Sequence, residues 1–151
     1  MTKPNYRRMV YDDIPQVVSM MEDFFYMSKL PSVGSFDTYR VASVLEGLVP
    51  SDKFFGFVAV VDNKIVGLIT AHITPSLFEH GDICSELVWW VSKEYRGTTI
   101  GLRLFYYMEE WAKFKGCSTL QVGGAEGYSN VENMYLKLGF TKIDSTYWRK
   151  L

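Results

Sequence analysis

The sequence predicts an α/β chain of the α+β kind, and three observations carry that reading. Runs rich in β-formers alternate with segments of helical period in the order β, two helices, β hairpin, long β, helix, β, helix, β hairpin. Two of the runs are joined by only Asp62, Asn63 and Lys64, a connection short enough to make antiparallel neighbours. A third run, residues 83–91, passes through a short glycine-containing turn into an amphipathic helix, and another β-rich run follows it.

Residues 6–11 form the first expected strand. Asp12 and Asp13 ahead of Ile14 and Pro15 mark a helix start, with a capping carboxylate and a proline tolerated in the first turn. Ile14, Val17, Val18, Met21 and Phe25 continue it as an apolar stripe. Between Phe24 and Tyr39 the period breaks at Pro31 and Gly34 within an aromatic-rich stretch, which fits either a lid or aromatics packed between two helices. Val41, Val44, Leu45 and Leu48 give the second helix its buried face, and Pro50 ends it. Residues 54–61 and 65–73 then make the antiparallel pair. Pro75 and Gly81 mark a longer connection, and residues 83–91, apolar at alternating positions of both sets, read as a central strand.

The third helix carries Gly101, Leu104, Phe105, Met108, Trp111 and Ala112 on one face and stops at Gly116. Residues 118–122 are the next strand, and the glycine-rich stretch from Gly123 to Gly127 reads as a plain turn. A short helix from Asn130 runs through Val131, Met134, Tyr135 and Leu138 to Gly139, followed by two last strands, 140–143 and 146–149.

With 151 residues and no internal shift of composition, one domain over residues 1–151 is expected. A hydrophobic fraction of 48% excludes disorder, and no apolar run is long enough to span a bilayer. No signal-peptide core follows the charged N-terminal residues, so a cytoplasmic protein is expected. A net charge of −1 without a basic run argues against a nucleic-acid partner. Cys84 and Cys117 lack metal-ligand spacing and read as buried reduced thiols. His72 and His80 fit no pattern.

The turn from Arg96 through Gly97, Thr98, Thr99 and Ile100 to Gly101 joins a strand end to a helix start, where free N–H groups and the helix dipole favour an anion. It has neither the Gly-x-x-x-x-Gly-Lys of a P-loop nor the Gly-x-Gly-x-x-Gly of a dinucleotide turn. It resembles the Arg/Gln-x-x-Gly-x-Gly/Ala signature of the GNAT superfamily of acyl-CoA-dependent N-acetyltransferases, with Thr99 standing where that family usually has its first glycine. Met134-Tyr135-Leu136-Lys137-Leu138-Gly139-Phe140 is similar to the Phe/Leu-Tyr-x-Lys-x-Gly-Phe segment near the end of many such enzymes. The two segments stand in the family's order, within an order of elements that also matches.

The resemblance implies a mixed, mostly antiparallel sheet of six to seven strands with flanking helices. Its central strands would splay near Trp90-Val91 and Gln121-Val122, so that Trp90 and Val91 contact the pantetheine arm of acetyl-CoA while Arg96 to Gly101 hold its pyrophosphate. The reaction implied is direct attack of a primary amine, on a small molecule or a peptide or protein, in a ternary complex. Glu86, the lone charge among residues 83–91, is the candidate base, with Glu126 or a water chain as fallback. Tyr135 matches the tyrosine that protonates the leaving sulfur, and Asn130 is the nearest match to a cofactor-contacting asparagine. No metal is implied, a homodimer is allowed, and a non-catalytic acyl-CoA-binding or protein-interaction module on the same fold is the alternative.

Overall fold

The computed structural model describes residues 2–124 and 131–151. Among them, five strands form one sheet in sequence order: β1 (Asn5–Arg8), β2 (Phe54–Val61), β3 (Lys64–Pro75), β4 (Asp82–Val91) and β5 (Thr119–Gln121). The first four pair antiparallel, and β5 runs parallel to β4. Helices α1 (Ile14–Met27) and α2 (Thr38–Leu48) precede β2, α3 (Ile100–Phe114) links β4 to β5, and α4 (Val131–Lys137) follows. None of these helices is long and apolar enough to cross a membrane.

The turn between β2 and β3 holds Asp62 and Asn63 at φ of 48° and 63°. These are the left-handed angles that a two-residue hairpin turn demands and that Asp and Asn tolerate best. Alternation along the paired strands then sends two sets of side chains to opposite faces. One face buries Phe55, Val66 and Ile69 against Ile100, Leu104 and Met108 of α3. The other buries Val58, Leu68 and Trp90 against Val17 and Val18 of α1 and Leu45 of α2. Gly67 on β3 lets α3 come close: a Cβ there would lie 2.9 Å from Ile100 Cγ2 and from Leu104 Cδ1.

Asp13 does not cap α1 as its position suggests. Its carboxylate turns back to accept from Arg7 Nη1 and Nη2 at 2.7 and 2.8 Å and from Val10 N at 2.8 Å, tying β1 to the start of the helix. The Arg7 guanidinium holds the Asp13 carboxyl below its ordinary range. In the aromatic stretch after α1, Phe24 packs edge-on against Trp90 and Phe25 against Phe36, while Tyr26 and Tyr39 are 61% and 88% exposed. Packing between elements therefore accounts for the inner rings. Cys84 is buried, its thiol pushed up to about 12 by burial and then by Cys117, which is half-buried.

The expected strand count of six to seven is corrected to five. Residues 141–151 are exposed and form no strand. Their two four-residue segments would have only each other and a three-residue β5 for partners, and an isolated hairpin of that length is marginal in water. Phe140 is instead drawn in by the end of α4, where Gly139 at φ 90° lets Phe140 N donate to Tyr135 O at 3.0 Å.

Gly67→Ala should lower stability to urea by about 1–3 kcal/mol, because two side chains of α3 would have to move. Gly47→Ala should instead raise it by about 0.4–1 kcal/mol, since a Cβ on that residue of α2 meets nothing within 4 Å. Gly67→Ala without loss of stability would contradict the close fit of α3 on β3.

Candidate active site

The ladder between β4 and β5 covers only Ile83, Cys84 and Ser85, paired with Thr119, Leu120 and Gln121. From Glu86 to Val91, β4 has no strand on that side among the described residues. The fork thus opens several residues before the Trp90-Val91 position expected from sequence. On its other side β4 also changes step. Thr70 opposes Val88 and Ala71 opposes Glu86, so Leu87 is an extra residue in the ladder. Thr70, buried in the middle of β3, repairs the break by accepting from Val88 N at 3.1 Å.

Across the fork the backbone of Gly123 holds two side chains. Its N–H donates to Glu86 Oε2 at 3.1 Å, and its carbonyl accepts from the Tyr135 hydroxyl at 2.6 Å. Glu86 and Tyr135, thirty-seven and twelve residues away, are therefore held on one residue. Protein crowds the Glu86 carboxylate on most sides although it keeps some access to solvent, and this desolvation raises its pKa to about 7 against a smaller opposing effect of the Gly123 N–H. Burial, and then the charge of Glu86, raise the Tyr135 phenol well above its ordinary value, so it stays protonated at neutral pH. The ring is fixed by Trp89, at 6.2 Å, and by Phe140, at 5.9 Å.

Trp89 also joins this centre to the turn at the start of α3, donating from Nε1 to Gly101 O at 3.1 Å. In that turn Gly97 has φ 76° and open space around its Cβ position, whereas Thr99 sits at φ −79°, where a β-branched residue fits without strain. The departure of Thr99 from the glycine signature therefore has a local reason. Thr98 closes the turn by donating to Tyr95 O at 2.6 Å and accepting from Ile100 N at 3.4 Å. Gly101 N and Leu102 N, in the first turn of α3, have no acceptor among the described residues. Arg96, at the other end of this turn, is held in place: its Nε donates to Val91 O at 3.0 Å, and its guanidinium lies 4.3 Å above the Trp90 ring.

The expected residues separate into three groups. Glu86 and Tyr135 meet on Gly123, and contacts through Trp89 and Val91 tie them and β4 to the 96–101 turn. Trp90 takes a different place: its indole is buried in the α1/α2 core, and the register of Leu68 with Trp90 and of Ser92 N on Val66 O turns its backbone toward β3. The same alternation points the N–H and C=O of Trp89 and Val91 at the gap. Asn130 and Glu126 lie outside the described residues. Gly123 was legible only as a turn, and nothing in its sequence context marks it as the bridge. Thr70 does carry a signal, a hydroxyl in the middle of an apolar strand, which asks for a partner.

The family model described as the Acetyltransferase (GNAT) family matches residues 18–140. No curated protein matches the chain in sequence. A transcriptional regulator from Bacillus halodurans superposes with a TM-score of 0.84 at 19% identity, over 99% of this chain and 100% of that one. The aminoglycoside N-acetyltransferase AAC(6')-Iy, solved with a bisubstrate analogue of coenzyme A and monomethyl-acetylneamine, gives 0.80 at 15% identity over 99% of both chains. An aminoglycoside acetyltransferase from an uncultured soil metagenomic sample gives 0.77 at 17% identity, over 98% of this chain and 96% of that one. At these identities the likeness is one of fold.

Glu86 gives a stability test that needs no substrate. Its pKa is raised from 4.5 to about 7 in the folded chain, so the native state keeps a proton that the unfolded state releases, and stability falls as pH rises through that window. Glu86→Gln has no such loss. The variant should gain on the wild type between pH 4.5 and pH 7, reaching at most about 3 kcal/mol, in urea titrations at several pH values. A difference that does not change with pH would show that the carboxylate is not desolvated as described.

Proposed function

The chain belongs to the acetyltransferase (GNAT) family, and from that premise we propose that it is an acetyl-CoA-dependent N-acetyltransferase acting on a primary amine in a ternary complex. The observation that carries this reading is the backbone of Gly123, which holds a carboxylate on its N–H and a neutral phenol on its C=O at the mouth of an open fork. Such a pair has the two proton functions that amide formation from an ammonium and a thioester requires.

The fork fits the proposed cosubstrate in three respects. The outward N–H and C=O of Trp89 and the outward N–H of Val91 can hydrogen-bond the amides of a pantetheine arm in place of a strand. The free amides of Gly101 and Leu102 and the fixed charge of Arg96 suit a pyrophosphate. Gly97 leaves room for close approach. Acetyl-CoA, when bound, supplies an activated acetyl group and a thiol as leaving group.

Glu86, half ionised near pH 7, takes a proton from the incoming ammonium, directly or through water. Tyr135 hands its proton to the departing sulfur and must leave Gly123 O to do so. Its raised pKa keeps the proton available at any pH where the amine is partly free. Trp89 holds both the phenol ring and the first turn of α3, so the proton donor and the anion site move as one unit. The family likeness to enzymes that acetylate aminoglycosides supports a small-molecule amine as acceptor.

Release of coenzyme A thiol from acetyl-CoA, followed with polyamines, aminoglycosides, amino acids and peptides, tests the reading. Turnover should rise through pH 7. Glu86→Gln should lose that limb and fall by about 10²–10⁴-fold at neutrality, with recovery at high pH where the amine is already free. Tyr135→Phe should lose about 10²-fold or less with coenzyme A affinity kept. Tight binding of coenzyme A without turnover of any amine would identify a non-catalytic binder instead.

A further inference from the structure

On the opposite face of β4 from Glu86, between α1, α2 and the sheet, lies an apolar cavity of about 200 Å³. Val44, Leu45 and Leu48 of α2 form its roof and Leu87 and Val88 of β4 its floor, with Arg40 at the rim. Arg40 is the sole charged residue lining it. The guanidinium is exposed and makes no hydrogen bond or ion pair among the described residues. The hydroxyl of Thr70, the other polar group on the wall, is occupied by Val88. A cavity of about 150 Å³ with such a lining holds a benzene ring, so this one has room for a phenyl or branched alkyl group.

Two features connect the cavity to the reaction centre. The extra residue of the β4 ladder, Leu87, belongs to its floor and follows Glu86 directly. Leu87 also lies beyond Ser85, the last residue of β4 paired with β5, so the cavity floor and Glu86 share one length of strand edge. An acceptor seated in the cavity can therefore present an amine at the fork. A polycation would bring charge to apolar walls and a like-charged arginine, whereas a ligand with an apolar body and a carboxylate matches both features.

We infer that the acceptor is an α-amino acid with an aromatic or branched aliphatic side chain, that side chain filling the cavity and its carboxylate meeting Arg40. The inference rests on the transfer reading above. The α-amino nitrogen forms the bond to the acetyl carbon as the carbon–sulfur bond breaks. Of the two protons lost by the ammonium, one leaves through Glu86 to solvent and the other balances the proton taken up by sulfur, giving an N-acetylamino acid and coenzyme A.

Thiol release with phenylalanine, leucine, phenethylamine, spermidine and kanamycin as acceptors tests this. Phenylalanine should exceed phenethylamine, which differs by the missing carboxylate, by at least about tenfold in kcat/KM, and that gap should close in Arg40→Gln. Turnover of spermidine or kanamycin without phenylalanine or leucine overturns the acceptor class and leaves acyl transfer standing. If no amine turns over, equilibrium binding of phenylalanine to the coenzyme A-loaded protein decides the cavity: binding lost in Arg40→Gln upholds the ligand class, and no binding overturns it.

Discussion

Beyond Ser85 no described strand lies beside β4 on the side of β5, and the N–H of Gly123 across the gap meets a side-chain carboxylate where a ladder would place a carbonyl. That substitution stops the parallel pairing after three residues. Had β5 continued alongside β4, the outward groups of Trp89 and Val91 would be consumed by the ladder, and no edge would remain for an extended ligand. The carbonyl of the same residue accepts a hydrogen bond from the Tyr135 hydroxyl, so the point where the strands part is also where two titratable groups converge. The ionised carboxylate makes the phenol harder to deprotonate, and burial keeps the carboxylate itself protonated to higher pH.

The remaining architecture holds this opening fixed. The α3 helix can lie close to the sheet because Gly67 has no side chain, and its first turn is tied to β4 through Trp89 and through Arg96 on Val91 O. On the other face the bulge at Leu87 would strand a backbone amide if Thr70 did not accept from Val88 N. That bulge lets Leu87 and Val88 both face α2 while Glu86 faces the fork. One extra residue in a strand thus gives the two sides of β4 different neighbours.

Much of this was legible in the chain. Hydrophobic period fixed the three long helices and the four antiparallel strands to within a few residues, because each buries a face against the sheet and the pattern must match the geometry. The Met134 to Phe140 segment marked the end of α4 correctly for a physical reason: Gly139 alone can take the left-handed turn that brings Phe140 back onto Tyr135. The final strands were misread, since β-propensity in four-residue segments says nothing about whether a partner strand is within reach. Asp13 showed the same limit on a smaller scale: a carboxylate at a helix start was available to cap it, but Arg7 on the neighbouring strand competed and won. Gly123 could not be found from sequence at all, because its role lies in backbone groups that every residue carries.

The central claim is that Glu86 and Tyr135, held on the backbone of Gly123, form the reaction centre. A crystal structure of the protein with coenzyme A tests it most directly. The account predicts the pantetheine arm along Trp89 and Val91, the sulfur beside the Tyr135 hydroxyl, and that hydroxyl released from Gly123 O while Glu86 remains on Gly123 N. Coenzyme A bound away from the fork, or bound there with Tyr135 still donating to Gly123 O and the sulfur out of its reach, would contradict it.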